Sequence, residues 1–145
     1  MEGDLLGKDF PFADGILAGK TALVCGSSRG IGRSSALILA RSGARVFACA
    51  RSAAELDSLV DEMHGDGHRA VVLDMEDADA VVGVLSELGD IQILVNNSGG
   101  PPGGPLLDND LEDFEGPFRR HLHASHLMAQ ALVPGMAGSG YGRIV

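Results

Sequence analysis

Residues 26–32, Gly26-Ser27-Ser28-Arg29-Gly30-Ile31-Gly32, form a glycine-rich turn between the apolar run 21–25 and an Ala-rich segment reaching Arg41. Strand, glycine turn and helix start, in that order, build a pocket for a phosphate group. Amide N–H groups in the first turn of the new helix point at an anion, and the helix dipole favours negative charge there. Glycine is needed because a Cβ would hold the backbone away from a pyrophosphate. The spacing Gly26-x3-Gly30-x-Gly32 departs from GxGxxG, and a glycine triplet by itself also fits a purely structural turn. What strengthens the ligand reading is context: strand before, helix after, and further strand-end features downstream.

From Lys20 onward strands and helices alternate. Residues 21–25 are strand one and 30–41 helix one; 44–50 are strand two. Ser52 is placed to cap a second helix, where Leu56, Leu59, Val60 and Met63 recur at helical spacing until Gly65-Asp66-Gly67 ends it. Residues 70–73 make strand three, closed by Asp74. A third helix carries Val81, Val82, Leu85 and Leu88 on one face. The near-continuous apolar run 91–96 suits a fourth strand covered on both sides. A Gly/Pro loop, 98–105, leads to a long fourth helix marked by Phe114, Phe118, Leu122, Ala129, Leu132 and Met136. Gly142-Arg143-Ile144-Val145 opens a fifth strand. Successive βα units predict an α/β fold of the Rossmann type: a doubly wound parallel sheet with helices on both faces, its ligands at the C-terminal strand ends. Residues 1–19 lack periodicity and read as an N-terminal arm; 20–145 form the nucleotide-binding domain, which stops at the start of strand five.

The net charge of −9 argues against a nucleic-acid partner, which requires clustered Lys and Arg. It leaves room for a local positive pocket from Arg29 and Arg51. The first residues carry no basic stretch followed by an apolar one, and no apolar run exceeds the five residues of 36–40, far short of a membrane span. Cys25 and Cys49, the two cysteines, read as buried reduced thiols, consistent with a cytoplasmic protein. His123 and His126 stand at i, i+3, but no further ligands cluster with them, so no metal site is expected.

The end of strand two discriminates between cofactors. An acid there would accept hydrogen bonds from a ribose 2′-hydroxyl, as NAD-binding folds commonly arrange. Here Ala50 and Arg51 occupy the position, with no carboxylate before Glu55. An arginine fork suits a 2′-phosphate, and Arg29 in the glycine turn could approach it from the other side. NADP is therefore favoured over NAD; the competing reading leaves both arginines as solvated surface charges. Arg51 also argues against a methyltransferase of similar topology, which would place an acid there. Asp74 could accept from an adenine amino group or cap the following helix, and the sequence does not separate the two.

Taken together, Leu17-Ala18-Gly19-Lys20 leading into the glycine turn, Asp74, Asn96-Asn97-Ser98-Gly99 and Gly142-Arg143-Ile144-Val145 resemble the short-chain dehydrogenase/reductase family from about Leu17 onward. The Gly/Pro loop is similar to that of its 3-oxoacyl-[acyl-carrier-protein] reductase-like members. The resemblance implies a Rossmann-fold oxidoreductase moving hydride between NAD(P) and a carbonyl or 3-oxoacyl compound. It implies that Gly26, Ser27, Ser28, Arg29, Gly30, Ile31 and Gly32 cradle the pyrophosphate and adjoining ribose. Arg51 would meet the 2′-phosphate, Asp74 with Met75 the adenine, and Asn97, Ser98 and Gly99 the ribose and nicotinamide side. A homo-oligomer formed through the fourth helix is implied as well.

Two departures stand out. His121 occupies the position of the family's helix Asn, and no Tyr-x3-Lys occurs: Tyr141 is followed four residues later by Val145, and Lys8 and Lys20 precede the glycine turn. Ser98 replaces an alanine of the family's Asn-Asn-Ala-Gly. These 145 residues are accordingly expected to be the N-terminal part of a reductase, inactive by themselves. The alternative is a non-catalytic dinucleotide-binding module assembled with a partner. An incomplete strand five is further expected to leave strand four as a long apolar edge, making the isolated chain sticky.

Overall fold

Successive residues of each strand feed two different cores, and that alternation organises the molecule. The structure, a computed structural model, describes residue 10, residues 12–100 and residues 103–145; most of the expected arm with Lys8, and Pro101 and Pro102 of the Gly/Pro loop, lie outside the described residues. Among these, five parallel strands, β1 (Thr21–Cys25), β2 (Arg45–Ala50), β3 (Arg69–Val72), β4 (Ile93–Val95) and β5 (Arg143–Ile144), stand in the order β3-β2-β1-β4-β5. Helices α1 (Gly30–Arg41), α2 (Ala53–Glu62), α3 (Ala78–Glu87), α4 (Glu112–Phe118) and α5 (Ala124–Gly138) connect them, with a π-helical turn, Arg119–His123, joining α4 to α5. The doubly wound parallel fold is as expected.

Ala22, Val24, Val46, Ala48 and Ile93 face α1 and α2, meeting Ala36, Ala40, Leu56 and Leu59. Leu23, Cys25, Phe47, Cys49 and Leu94 face the other way, onto Val81, Leu85, Met128, Leu132 and Met136 of α3 and α5. A two-residue period buried on both sides is what parallel strands require. The alanines of the first core let α1 lie close to the sheet. Leu56 and Leu59 are fully buried, each contributing about 1.5–3 kcal/mol.

Several expectations about local structure need correcting. Val82 is 54% exposed, so α3 buries the narrower face of Val81, Leu85 and, at its end, Leu88. Ser52 sits at the α2 N-cap but its side chain makes no capping bond. The long fourth helix is not one continuous α-helix. Its π turn inserts an extra residue and rotates the inward face, so Phe118 and Leu122 are exposed, at 55% and 57%, while Ala124, Met128, Leu132 and Met136 turn inward. Pro117 and Pro134, which lack an N–H, stand inside these helices.

β4 is shorter than expected, but its ladder runs on: Gln92 N–H donates to the Thr21 carbonyl and Asn96 N–H to that of Val145. β4 is therefore not an edge. β5 pairs along it, Ile93 with Arg143 and Leu94 with Ile144, and Val145 N–H reaches the Leu94 carbonyl. Before β1, Leu17 packs on the first core and donates its N–H to the Ser42 carbonyl, fastening the segment ahead of the sheet.

Candidate functional site

The chain winds outward from β1 to β3, then returns past β1 to β4, so the order reverses between β1 and β4. At such a switch point the loops leaving neighbouring strands diverge and open a crevice at their carboxyl ends. Here the crevice is a cleft of about 670 Å³. One wall is the turn after β1, with Gly26, Ser28, Arg29 and Ile31. The end of β2 supplies Ala50, Arg51, Ser52 and Glu55. Beyond β3 stand Leu73, Asp74 and Met75, and beyond β4 Asn97, Ser98, Gly99 and Gly100, with Arg120 closing the remaining side.

The glycine turn is fixed from several directions. Ser27, fully buried, donates both its N–H and its hydroxyl to the Cys49 carbonyl, at 3.1 and 3.2 Å, stapling the turn to β2. Asn97 Nδ2 donates to the carbonyls of Cys25 and Gly26, at 3.3 and 3.1 Å, tying the end of β4 to the same turn. A Cβ on Gly32 would stand 2.2 Å from the Gly26 carbonyl oxygen, so α1 can start this close to the turn only with glycine there.

No side chain caps the N-terminus of α1, and its first turn holds no acidic residue. Its free amides, beside an open cleft, fit an anionic group. Ile31, 78% exposed, is an apolar side chain left on the cleft wall without protein cover.

Of the residues singled out from sequence, ten line the cleft: Gly26, Ser28, Arg29, Ile31, Arg51, Asp74, Met75, Asn97, Ser98 and Gly99. Ser27, Gly30 and Gly32 do not; they shape the turn from behind. Arg29 and Arg51 are exposed and make no ion pair among the described residues, whereas four other arginines do. Asp74 lines the cleft, and its carboxylate accepts the Glu76 N–H at 3.0 Å. The cap of α3 is Asp77, whose carboxylate accepts the Ala80 N–H at 3.0 Å. The helix-cap alternative for Asp74 is thus corrected.

One residue and one contact were missed. Arg120 lines the cleft and is ion-paired to Glu76, which joins the π turn to the loop after β3. Gly116 makes room for it, since a Cβ there would lie 3.2 Å from Nη1 of Arg120. The signal in sequence was slight: an arginine beside the already noted His121, and a glutamate two residues past Asp74. Second, Ser98 Oγ lies 3.1 and 3.0 Å from Nδ1 and Nε2 of His121. His121 is exposed, and its contact with Ser98 ties the imidazole to the cleft wall.

Cys25 and Cys49 are free, buried register partners. Its hydrogen-bonding interaction with Cys49, together with burial and the charge Cys49 would carry as a thiolate, pushes the Cys25 thiol well above its ordinary range. Among the described residues no group of three or more His, Cys, Asp or Glu is placed to hold a metal ion. Nor is any helix among them long and apolar enough to cross a membrane.

The cleft, the close-approach glycines and the uncapped helix start together fit a dinucleotide. Comparison with known proteins agrees. Residues 20–145 match the family model described as short chain dehydrogenase. The L-xylulose reductase of Mesocricetus auratus is 40% identical over 124 residues, covering 86% of this chain and 50% of that protein. A solved structure titled a putative betaketoacyl-ACP reductase matches with TM-score 0.81 and 34% identity over 88% of this chain and 53% of its own. That of L-sorbose reductase from Gluconobacter frateurii, complexed with NADPH and L-sorbose, matches with TM-score 0.77 and 28% identity over 88% and 51%. The chain spans about half the length of the curated relatives it matches.

Proposed function

The chain belongs to the short chain dehydrogenase family, and from that premise we propose that residues 20–145 are the cofactor-binding part of an NADP-dependent oxidoreductase that reduces a ketone. The observation that carries the NADP reading is Arg51, at the end of β2 on the cleft wall and without a carboxylate partner among the described residues. A guanidinium there meets a 2′-phosphate with paired donors, where an acid would repel it. Arg29 adds a second positive charge from the glycine turn.

In this reading the amides at the start of α1 hold the pyrophosphate, Asp74 and Met75 border the adenine, and Asn97, Ser98 and Gly99 border the nicotinamide side. The cofactor supplies the hydride. These residues bind and orient it; no Tyr-x3-Lys proton donor is among residues 1–145, so they bind nucleotide without turning it over. The relatives named L-xylulose reductase and L-sorbose reductase support a small polyhydroxylated ketone as substrate of the whole protein. A 3-oxoacyl substrate is the second reading, favoured by the neighbour titled a betaketoacyl-ACP reductase. Exposed Phe118 and Leu122 support a homo-oligomer that covers this face.

The test is a titration of the 145-residue chain with NADPH, NADH and S-adenosylmethionine, followed by fluorescence and thermal melting. A ligand that binds only the folded state raises Tm. NADPH is expected to bind and stabilise more than NADH, and S-adenosylmethionine to do neither. A chain indifferent to both nicotinamide nucleotides overturns the proposal.

A further inference from the structure

Ser98 and His121 are the two positions where a family motif is altered, and the fold brings those two side chains into contact. Ser98 Oγ lies 3.1 Å from Nδ1 and 3.0 Å from Nε2 of His121, on the cleft wall formed after β4. Its backbone is anchored next door, where the Asn97 amide holds the Gly26 carbonyl at 3.1 Å. His121 sits on the π turn, an arrangement found frequently at functional sites. Its closest cationic neighbours along the chain are each occupied, Arg119 by Glu115 and Arg120 by Glu76.

We propose that Ser98 and His121 act as a pair on the nicotinamide half of the dinucleotide, Ser98 as the contact and His121 as the positioning residue behind it. The inference rests on the cofactor reading above. A neutral imidazole has one nitrogen with a free lone pair, and a serine hydroxyl has a single proton to give. The direction of the bond follows the His121 tautomer: a ring lone pair takes the Ser98 proton and leaves Oγ an acceptor towards the cleft, whereas a ring N–H donates to Oγ and leaves the hydroxyl proton for the ligand. In either state Ser98 has one complementary hydrogen-bonding function to offer. On the nicotinamide half the groups that meet it are the ribose hydroxyls, which both donate and accept, and the carboxamide, which carries an NH2 and an oxygen. Arg51, Asp74 and Met75, which serve the adenine half in this reading, come from the other strand ends, after β2 and β3. The pair accordingly distinguishes the two halves of the ligand.

Two probes divide the cleft: NADPH, and adenosine 2′,5′-bisphosphate, which carries the adenine, ribose and 2′-phosphate but no nicotinamide. Both are titrated against the 145-residue chain and its Ser98→Ala, His121→Ala and double variants. Ser98→Ala is expected to weaken NADPH by about 3- to 10-fold, the worth of one hydrogen bond. His121→Ala should weaken it by a similar factor and the double variant by no more than Ser98→Ala alone, with Ser98→Thr restoring affinity. Binding of the bisphosphate should stay within about twofold throughout, which also shows that each variant is folded. Equal losses for both probes, no loss for either, or losses that multiply in the double variant overturn the pair. Long-range 1H–15N spectra of the ligand-free chain give an independent readout, because the His121 ring shifts should change in Ser98→Ala. If the wild-type chain binds neither probe, the cofactor reading fails and takes this role with it. If it binds both while the variants match it, the pair alone fails.

Discussion

The side-chain amide of Asn97 stands 3.1 Å from the carbonyl oxygen of Gly26, so the end of β4 is held directly against the turn that leaves β1. These two segments form adjacent walls of the cleft at the point where the strand order reverses. Gly26 permits the approach twice over. Its φ is +58°, in the left-handed region, and a Cβ there would lie 2.6 Å from both Nδ2 and the carbonyl oxygen of Asn97.

Gly26→Ala is therefore predicted to cost more than Gly30→Ala. Both residues have positive φ, but a Cβ on Gly30 would meet nothing within 4 Å. Gly30→Ala isolates the conformational term, about 1–2 kcal/mol. Gly26→Ala adds an overpacking term of about 1–3 kcal/mol, since part of what it strikes is backbone. Denaturant melts of the two variants measure the difference. Equal losses would mean that the Asn97 contact imposes nothing on residue 26.

Arg51→Ala is predicted to lower affinity for NADPH by about tenfold or more, the worth of one charge-assisted hydrogen bond, while affinity for NADH changes little. Arg29→Ala should act in the same sense. Isothermal titration with both nucleotides is the measurement. A loss shared equally by the two would place Arg51 away from the 2′-position.

Much of this was legible in the sequence, for identifiable reasons. β1, α1 and most of β2 follow from apolar runs bounded by glycines, where local pattern and tertiary environment agree. The glycine turn and Arg51 were readable because backbone close approach and charge are properties of single residues. The inward face of α4 and α5 was not readable. Phe118 and Leu122 fit an unbroken 3.6-residue period, and nothing in the local composition marks the π turn that rotates them outward. Arg120 escaped for a related reason: its role depends on Glu76, more than forty residues earlier, and on room left by Gly116. Ser98 and His121 were each noticed as departures, yet their contact is a product of tertiary folding.

Stability should fall on the alkaline side through Cys25. Its folded-state thiol is held above the ordinary range by the Cys49 hydrogen bond and by burial, so the folded chain keeps a proton that the unfolded chain releases. Cys25 therefore costs nothing at neutral pH. Its contribution is lost as pH rises through the unfolded thiol's range towards the folded value. Urea melts across that range should show a declining unfolding free energy, and the decline should be shallower in Cys25→Ala even though that variant starts lower. Identical slopes would remove Cys25 as the source. Alkylation by iodoacetamide should likewise be slow until the chain unfolds, because the reactive species is the thiolate.

The Arg120–Glu76 ion pair braces the side of the cleft that Arg120 lines, and Glu76→Gln tests how much. The two side chains are 20% and 32% exposed, so the pair is neither freely solvated nor fully buried. Removing one charge leaves a largely enclosed guanidinium whose Nε already lacks a partner. Breaking fully buried pairs costs about 3–5 kcal/mol and exposed ones up to about 1 kcal/mol, which places this variant at about 1–2 kcal/mol. Salt provides the discriminating control. A surface pair would lose its effect as ionic strength rises from 0.05 to ~1 M, where the screening length shrinks to about 3 Å. The penalty of Glu76→Gln is expected to persist in ~1 M salt, because most of it is the unmet guanidinium rather than a screened attraction. A penalty that vanishes with salt would make the pair a surface contact, and the cleft wall at Arg120 would then rest on the packing of the π turn alone.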